Sequence, residues 1–371
     1  MRIILLDTVI LLLLVTSASA SLGIQSNFPS LHLSPLHDRF QNDGLKIRND
    51  VGWIIGVPAD GYGVILHTTN GGENWTRQGT PNTIPNVPLY DVRAIDACNA
   101  WAVGAANGNY AVVLRTMDGG KTWIRCGSPG SIPDFGAGGI GAVDSKIAWV
   151  VGSNGTIIHT VDGGKTWVQQ TSNTKATLMK VAAVDRCNAW IVGDTDNGYA
   201  VILRTSDGGR TWKRQGTNST VRASGLIDVT AADNRNAWAV GTGSIHNPGF
   251  TVLKTEDGGR SWHAQMVGAL YHMNGACAID KCHAWIVRDF GSIYWTSSGG
   301  KTWNLQHPDI ASGFYLFSVS SRTMKTAWIV GHDDYGNGII LHTTNCGANW
   351  TKQFAPVNVP IRRVSFVGTK S

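Results

Sequence analysis

The chain has 371 residues, of which 45 are glycine, 15 are tryptophan and only 15% are charged, with a formal net charge of +6 and a pI near 9.0. That length is too great for one ordinary core, and no linker divides it; the cations are scattered without interleaved aromatics, which argues against nucleic-acid binding. Short Val- and Ile-rich runs without a 3.6-residue period exclude a helical bundle and predict an all-β chain with many tight turns.

In chain order, the first element is a targeting segment. Arg2, the apolar stretch from Ile3 to Val15 and the small residues Ala18-Ser19-Ala20 predict a signal peptide over 1–20. Asp7 interrupts a stretch already short for a membrane span, so a cleaved, secreted or periplasmic chain without stable membrane insertion is expected. Residues 21–46 read as an N-terminal extension, and 47–371 carry repeats. Export opens disulfide chemistry to the six cysteines; Cys98 with Cys126, and Cys277 with Cys282, are the within-repeat candidates, with the connectivity open. The sequons at Asn74, Asn154, Asn218 and Asn349 matter in a host that glycosylates exported chains.

The repeats begin at "VGWIIG" (51–56), and the octapeptide "TTNGGENW" (68–75) then recurs as "TMDGGKTW" (116–123), "TVDGGKTW" (160–167), "TSDGGRTW" (205–212), "TEDGGRSW" (255–262), "TSSGGKTW" (296–303) and "TTNCGANW" (343–350). The octapeptides end on Trp75, Trp123, Trp167, Trp212, Trp262, Trp303 and Trp350, and a second series, Trp53, Trp101, Trp149, Trp190, Trp238, Trp285 and Trp328, precedes them. Before each "AW" stands an alternating segment such as "LYDVRAID" (89–96) or "LIDVTAAD" (226–233). The unit is therefore strand A, a turn, strand B, a loop, strand C, the glycine turn and strand D. Four strands in some 45 residues make a β-propeller blade, which buries its faces only by stacking on neighbours. The first repeat lacks a strand A, and "PIRRVSFVGT" (360–369) is a strand A with nothing after it. Joined, they predict seven blades in a closed ring without free sheet edges.

Within the octapeptide, glycine supplies positive φ, and Asp118, Asp162, Asp207 and Asp257 accept amide hydrogen bonds inside the turn. Asn70, Ser298 and Asn345 stand in the aspartate's place in other copies, which suits a turn and would ruin a catalytic acid. One residue before each turn threonine stand His67, Arg115, His159, Arg204, Lys254, Trp295 and His342. A ring of cations for an acidic partner is one reading; the preferred one packs each stem across a neighbouring blade, its head near a turn carboxylate or a tryptophan face.

The octapeptide is identified as an Asp-box, or BNR repeat, and its paired "NAWAVG…TxDGGKTW" units from about Ile47 onwards resemble the photosystem II assembly and stability factor family. The resemblance implies an exported seven-bladed propeller that binds protein, has no enzymatic activity and needs no cofactor or metal. It also implies an arginine-rich binding patch, for which Arg93, Arg362 and Arg363 on strands A are the candidates. Asp-boxes mark sialidases and xyloglucan-active glycosidases as well. The only glutamates, Glu73 and Glu256, both lie within Asp-box turns, so a sialidase tyrosine–glutamate pair cannot be assembled. A glycosidase using two aspartates remains as the alternative: Asp60, Asp194, Asp196, Asp289, Asp333 and Asp334 fall in B–C loops, with Tyr62, Tyr110, Tyr199, Phe250 and Tyr335 placed to stack on sugar. "DTDNG" (194–198) departs from a calcium loop in its glycine position. The expectation is a monomeric, non-catalytic scaffold whose loop face binds a protein or a glycan, first through the D–A segments 79–88 and 127–135.

Overall fold

The computed structural model describes residues 50–368 apart from 109, 218, 222–223, 243–251, 266–271 and 307. The signal and extension (1–46), Asn218 and Phe250 lie outside the described residues. The chain is all-β, in four-stranded antiparallel sheets that follow the A-B-C-D order. One sheet pairs Leu89–Ala94, Ala100–Gly104, Val112–Thr116 and Ile124–Arg125, and the same order recurs over 137–170, 178–214, 225–264, 273–306 and 315–353. Single bridges, Asp194 to Gly225 and Asp289 to Tyr315, link successive sheets at two places. The sheet of Gly52–Ala59, Tyr62–Thr68 and Thr76–Arg77 takes its strand A from the far end of the chain, Ile361–Phe366, with Gly52 opposite Phe366 and Ile54 opposite Val364.

Strands B such as "AWAVG" are buried on both faces because each is central in its sheet and its sheet is covered on both sides. The hydrophobic core lies between successive sheets. Trp101 and Val103 pack with Ile140, Val150 and Trp167 of the next sheet, and Trp328, Val330 and Ile340 pack with Ile54, Val64 and Leu66. Phe366 stacks on Trp328 at 3.6 Å and meets Trp75 edge-on at 5.9 Å. All the strand B tryptophans are fully buried, each worth on the order of 3 kcal/mol of transfer free energy.

Polar hydrogen bonds fix how one sheet sits on the next. Gln78, directly after its strand D, accepts from Trp53 Nε1 of its own sheet and Trp123 Nε1 of the next, both at 3.1 Å, while its Nε2 donates to the Gly119 carbonyl at 2.9 Å. Gln170 repeats the arrangement with Trp149, Trp212 and Gly208, and Gln353 joins Trp75 and Gly71. A Cβ at Gly120 would collide with the Gln78 amide, so this turn glycine is needed for the clamp as well as for its φ of +82°. Cys126 occupies the glutamine's position, and Trp101 Nε1 and Trp167 Nε1 are buried without a partner among the described residues.

The turns behave as the octapeptide predicts. Asp118 Oδ1 accepts from the Thr116 hydroxyl and the Thr122 amide, both at 2.9 Å, and Asp118 Oδ2 accepts from the Thr122 hydroxyl at 2.6 Å. The pre-turn side chains stack on the strand B tryptophan of their own sheet, His159 on Trp149 at 4.3 Å and Arg115 over Trp101 at 5.2 Å, and Arg115 reaches the Gly163 carbonyl of the following turn at 2.8 Å. The within-repeat disulfides do not form: none of the six cysteines is joined in a disulfide. Cys98 sits exposed in the A–B turn while Cys126 is buried under strand D; Cys277 is buried in strand A, its Sγ 3.7 Å from the Ser321 carbonyl, and Cys282 lies in the turn beyond.

Candidate binding site where the strands A converge

Each strand A slips register by one residue just after its start. The ladder jumps between Leu89 and Asp91, Ala137 and Gly139, Leu178 and Lys180, Leu226 and Asp228, Met273 and Gly275, Leu316 and Ser318, and between the partners of Ile361 and Arg363. A bulge of this kind re-aims the skipped residue. The skipped residues are Tyr90, Gly138, Met179, Ile227, Asn274, Phe317 and Arg362, and together they line one cavity of about 490 Å³.

The wall is mostly apolar; its polar members include Asn274, Arg362, Ser153, Thr177 and the edge of Arg363. Arg362 lies over the Tyr90 ring at 5.5 Å. Asn274 Nδ2 donates to Asp289 Oδ1 at 2.7 Å and to the Leu316 carbonyl at 2.9 Å, which leaves its amide oxygen for a ligand. Phe317 packs on His332 at 5.2 Å, and His332 stacks on Tyr315 at 5.0 Å, which adds an aromatic rim on one side. Apolar lining with a few fixed polar groups is the usual composition of a binding cavity.

Immediately inward, the next strand A residues form a buried ionic network. Lys180 Nζ touches both oxygens of Asp91 at 2.6 Å; Arg363 reaches Asp91 Oδ1 at 3.1 Å through Nε and Asp228 at 2.9 and 3.2 Å through its terminal nitrogens. The Ile140 amide also donates to Asp91 at 2.8 Å. Burial pushes the Asp91 carboxyl up, but the charges of Lys180 and Arg363 outweigh it and hold it below the usual range. Burial depresses Arg363, but Asp228 and Asp91 more than offset it and hold its guanidinium above the ordinary value. These four charges are a rigid floor.

The sequence candidates divide accordingly. Arg362 faces the cavity, Arg363 belongs to the floor, and Arg93 lies deeper still, beside Cys277 and Ser365. Tyr62, Tyr110 and Tyr199 stand outside the cavity, each beneath a strand D guanidinium: Arg77 at 4.0 Å, Arg125 at 3.8 Å and Arg214 at 4.3 Å. Those arginines also donate to loop carbonyls of Ala59, Asn107 and Asp196, so the tyrosines brace B–C loop bases. Tyr335 is 91% exposed. Among the loop aspartates, Asp60 pairs with Arg77 and Asp196 with Arg214, and Asp333 accepts the Tyr335 and Asn337 amides. Burial raises the Asp333 carboxyl, but hydrogen bonds from Asn337 and Tyr335 outweigh it and hold it low, the opposite of what a general acid needs. The D–A segments bury Ile84, Val87, Ile132 and Phe135 between sheets, which makes them packed plugs with a polar outer surface. Among the described residues no group of His, Cys, Asp or Glu is arranged to hold a metal, and no helix is long and apolar enough to cross a membrane.

Tyr90, Met179, Ile227, Asn274 and Phe317 escaped the sequence reading. In sequence they resemble ordinary strand residues; only the recurrence of varied types at one aligned strand A position, between invariably small or buried neighbours, hints at a shared wall.

Comparison with known proteins places this geometry. A family model described as photosynthesis system II assembly factor YCF48 matches residues 32–126, 138–276 and 270–360. A solved structure of YCF48 bound to D1 peptide superposes with a TM-score of 0.57 at 18% identity, over 81% of this chain and 86% of that one. YCF48 from Cyanidioschyzon merolae gives 0.55 at 18% identity, over 73% and 87%. The GH74 xyloglucanase from Xanthomonas campestris gives 0.57 at 14% identity, over 87% of this chain and 55% of that one. At these identities the structural likeness is one of fold. No curated protein matches the sequence.

Proposed function

The chain belongs to the photosystem II assembly factor YCF48 family, and from that premise we propose that it is an exported, monomeric, non-catalytic scaffold that holds a peptide segment of a protein partner in the cavity where the strands A converge. The scaffold is a closed seven-bladed propeller in this reading. Its support is the pairing of Ile361–Phe366 with Gly52–Ala59 and the core shared by Trp328 and Ile54.

The observation that carries the binding assignment is the set of skipped strand A residues. Seven separate bulges, six of them bearing side chains of varied type, face one cavity of about 490 Å³, although an ordinary ladder would have paired these residues. Phe317, Met179 and Ile227 suit an apolar side chain, the Asn274 oxygen suits a backbone N–H, and Arg362 suits a carbonyl or carboxylate. A peptide presents all three. The YCF48 structure with D1 peptide shows that a protein of this fold binds a peptide. The likeness to a GH74 xyloglucanase does not favour hydrolysis, because Asp60 and Asp196 are engaged as arginine partners and Asp333 as a turn acceptor.

The test is selection of peptides from a random displayed library on the purified protein, followed by fluorescence anisotropy with the selected peptide. Phe317→Ala and Arg362→Ala should each weaken binding at least tenfold, and Tyr335→Ala should not. Binding that survives both cavity substitutions, or xyloglucan hydrolysis by the purified protein, overturns the reading.

A further inference from the structure

We propose that the groove between strand D at Ile124–Arg125 and the turn at 160–167 docks an extended segment of a partner protein, one that carries a glutamate or aspartate between apolar side chains. The first observation is a gap in a repeated filling. The residue three places after the octapeptide tryptophan is glutamine in six copies, Gln78, Gln170, Gln215, Gln265, Gln306 and Gln353, and cysteine in one, Cys126. In those six, a Cβ on the second glycine of the next turn would strike the glutamine amide; on Gly164 it would meet Cys126 Sγ at 2.9 Å. The cysteine side chain ends where a glutamine stem continues, so no amide fills this boundary. Trp101 Nε1 and Trp167 Nε1, the counterparts of the two indoles that bond to Gln78, are buried without a partner among the described residues. A groove lies over this place, lined in part by Cys126, Gly163 and Gly164.

The second observation is apolar exposure. Met117 and Ile124 line the same groove and are each 51% exposed. On the following sheet their counterparts Val161 and Val168 are 62% and 64% exposed. The other five copies hold threonine, serine or glutamate at the first of these positions and threonine, lysine, histidine or asparagine at the second. The third observation is charge. Arg115, Arg125 and Lys165 line the groove, and no carboxylate is among its lining residues. The two guanidiniums donate to the backbone carbonyls of Gly163, Asn107 and Tyr110, which leaves their charge unneutralised, and among the described residues none of the three cations is in an ion pair. Asp118 and Asp162, in the flanking turns, spend both oxygens on turn hydroxyls and amides. A basic, partly apolar groove complements an acidic, partly apolar segment. Strand D is also the outermost of its sheet, an edge to which an extended chain adds. The groove shares no lining residue with the strand A cavity, so either site can fail without the other.

Peptides selected from a random displayed library on the Arg362→Ala protein should be enriched in glutamate or aspartate next to leucine, isoleucine, methionine or phenylalanine. A fluorescent synthetic copy of the most enriched peptide is the probe for anisotropy titrations. Met117→Ser combined with Ile124→Thr copies residues of the sister sheets, Cys126→Gln supplies the missing amide, and Lys165→Glu reverses an exposed charge. Each of the three variants should weaken binding of the probe by about tenfold or more, and binding to the unaltered groove should weaken as salt rises. Any of three results overturns the proposal: selected peptides without acidic residues, a probe that one of these variants binds as tightly as before, or phosphatidylglycerol vesicles held through this groove with no peptide enriched.

Discussion

Replacing Gln78 by cysteine gives its sheet boundary the composition that the next boundary already has at Cys126. The change removes one acceptor shared by Trp53 Nε1 and Trp123 Nε1 and one donor to the Gly119 carbonyl. A buried polar group left unpaired costs ~1–3 kcal/mol, and freeing a glutamine side chain returns up to about 2 kcal/mol of conformational entropy. With water reaching part of the vacated space, the net destabilisation expected is about 2–4 kcal/mol. The converse, Cys126→Gln, supplies an acceptor to Trp101 Nε1 and Trp167 Nε1, which have none. Its gain is smaller, about 1 kcal/mol, because the Gly163 carbonyl that the new amide would meet already accepts from Arg115. Guanidinium unfolding followed by tryptophan fluorescence reads both as shifts in midpoint at unchanged slope. A Gln78→Cys cost below about 0.5 kcal/mol, the scale of a neutral surface substitution, or a loss of stability in Cys126→Gln, refutes the assignment of these glutamines as clamps.

Acid should loosen the turns in a defined window. Thr122 hydroxyl and amide bonds hold Asp118 at about 2, and Asp162, Asp207 and Asp257 are held there in the same way. Because these folded values are depressed, the unfolded chain binds more protons. Their stabilisation is present above an unfolded value of about 3.9 and drains away as pH falls through about 2; the denaturant midpoint should therefore drop between pH 4 and 2, and less steeply in Asp118→Asn, which copies the native Asn70 and Asn345. Removing residues 361–371 strips the strand paired with Gly52–Ala59 and uncovers Trp75 and Trp328. Size-exclusion chromatography should then show aggregation in place of a single species, and a truncated chain that stays monomeric with native fluorescence contradicts the packing described.

The all-β architecture was legible because tryptophan and glycine recur at fixed distances, and that period survives any drift in the residues between. The turn aspartates were legible for a local reason: donor, acceptor and glycine lie within eight residues of one another. The cavity was not. It depends on bulges, and a bulge changes which way Met179 or Phe317 points without changing what either residue is. Arg362 and Arg363 are adjacent and alike in sequence, yet the backbone assigns one to the cavity and the other to the floor. Lys180 and Asp91 are 89 positions apart, and no local pattern announces that they meet. The glutamine clamps at Gln78, Gln170 and Gln353 carry no charge or motif to draw notice.

The sheet built from both ends of the chain imposes an order on biosynthesis. Until Ile361–Phe366 has been made, Gly52–Ala59 presents a bare hydrogen-bonding rim and the indole of Trp328 lacks its lid. The earlier-made strand must wait for the later one, so any chaperone that guards this protein has to shield that rim until Ile361–Phe366 has emerged.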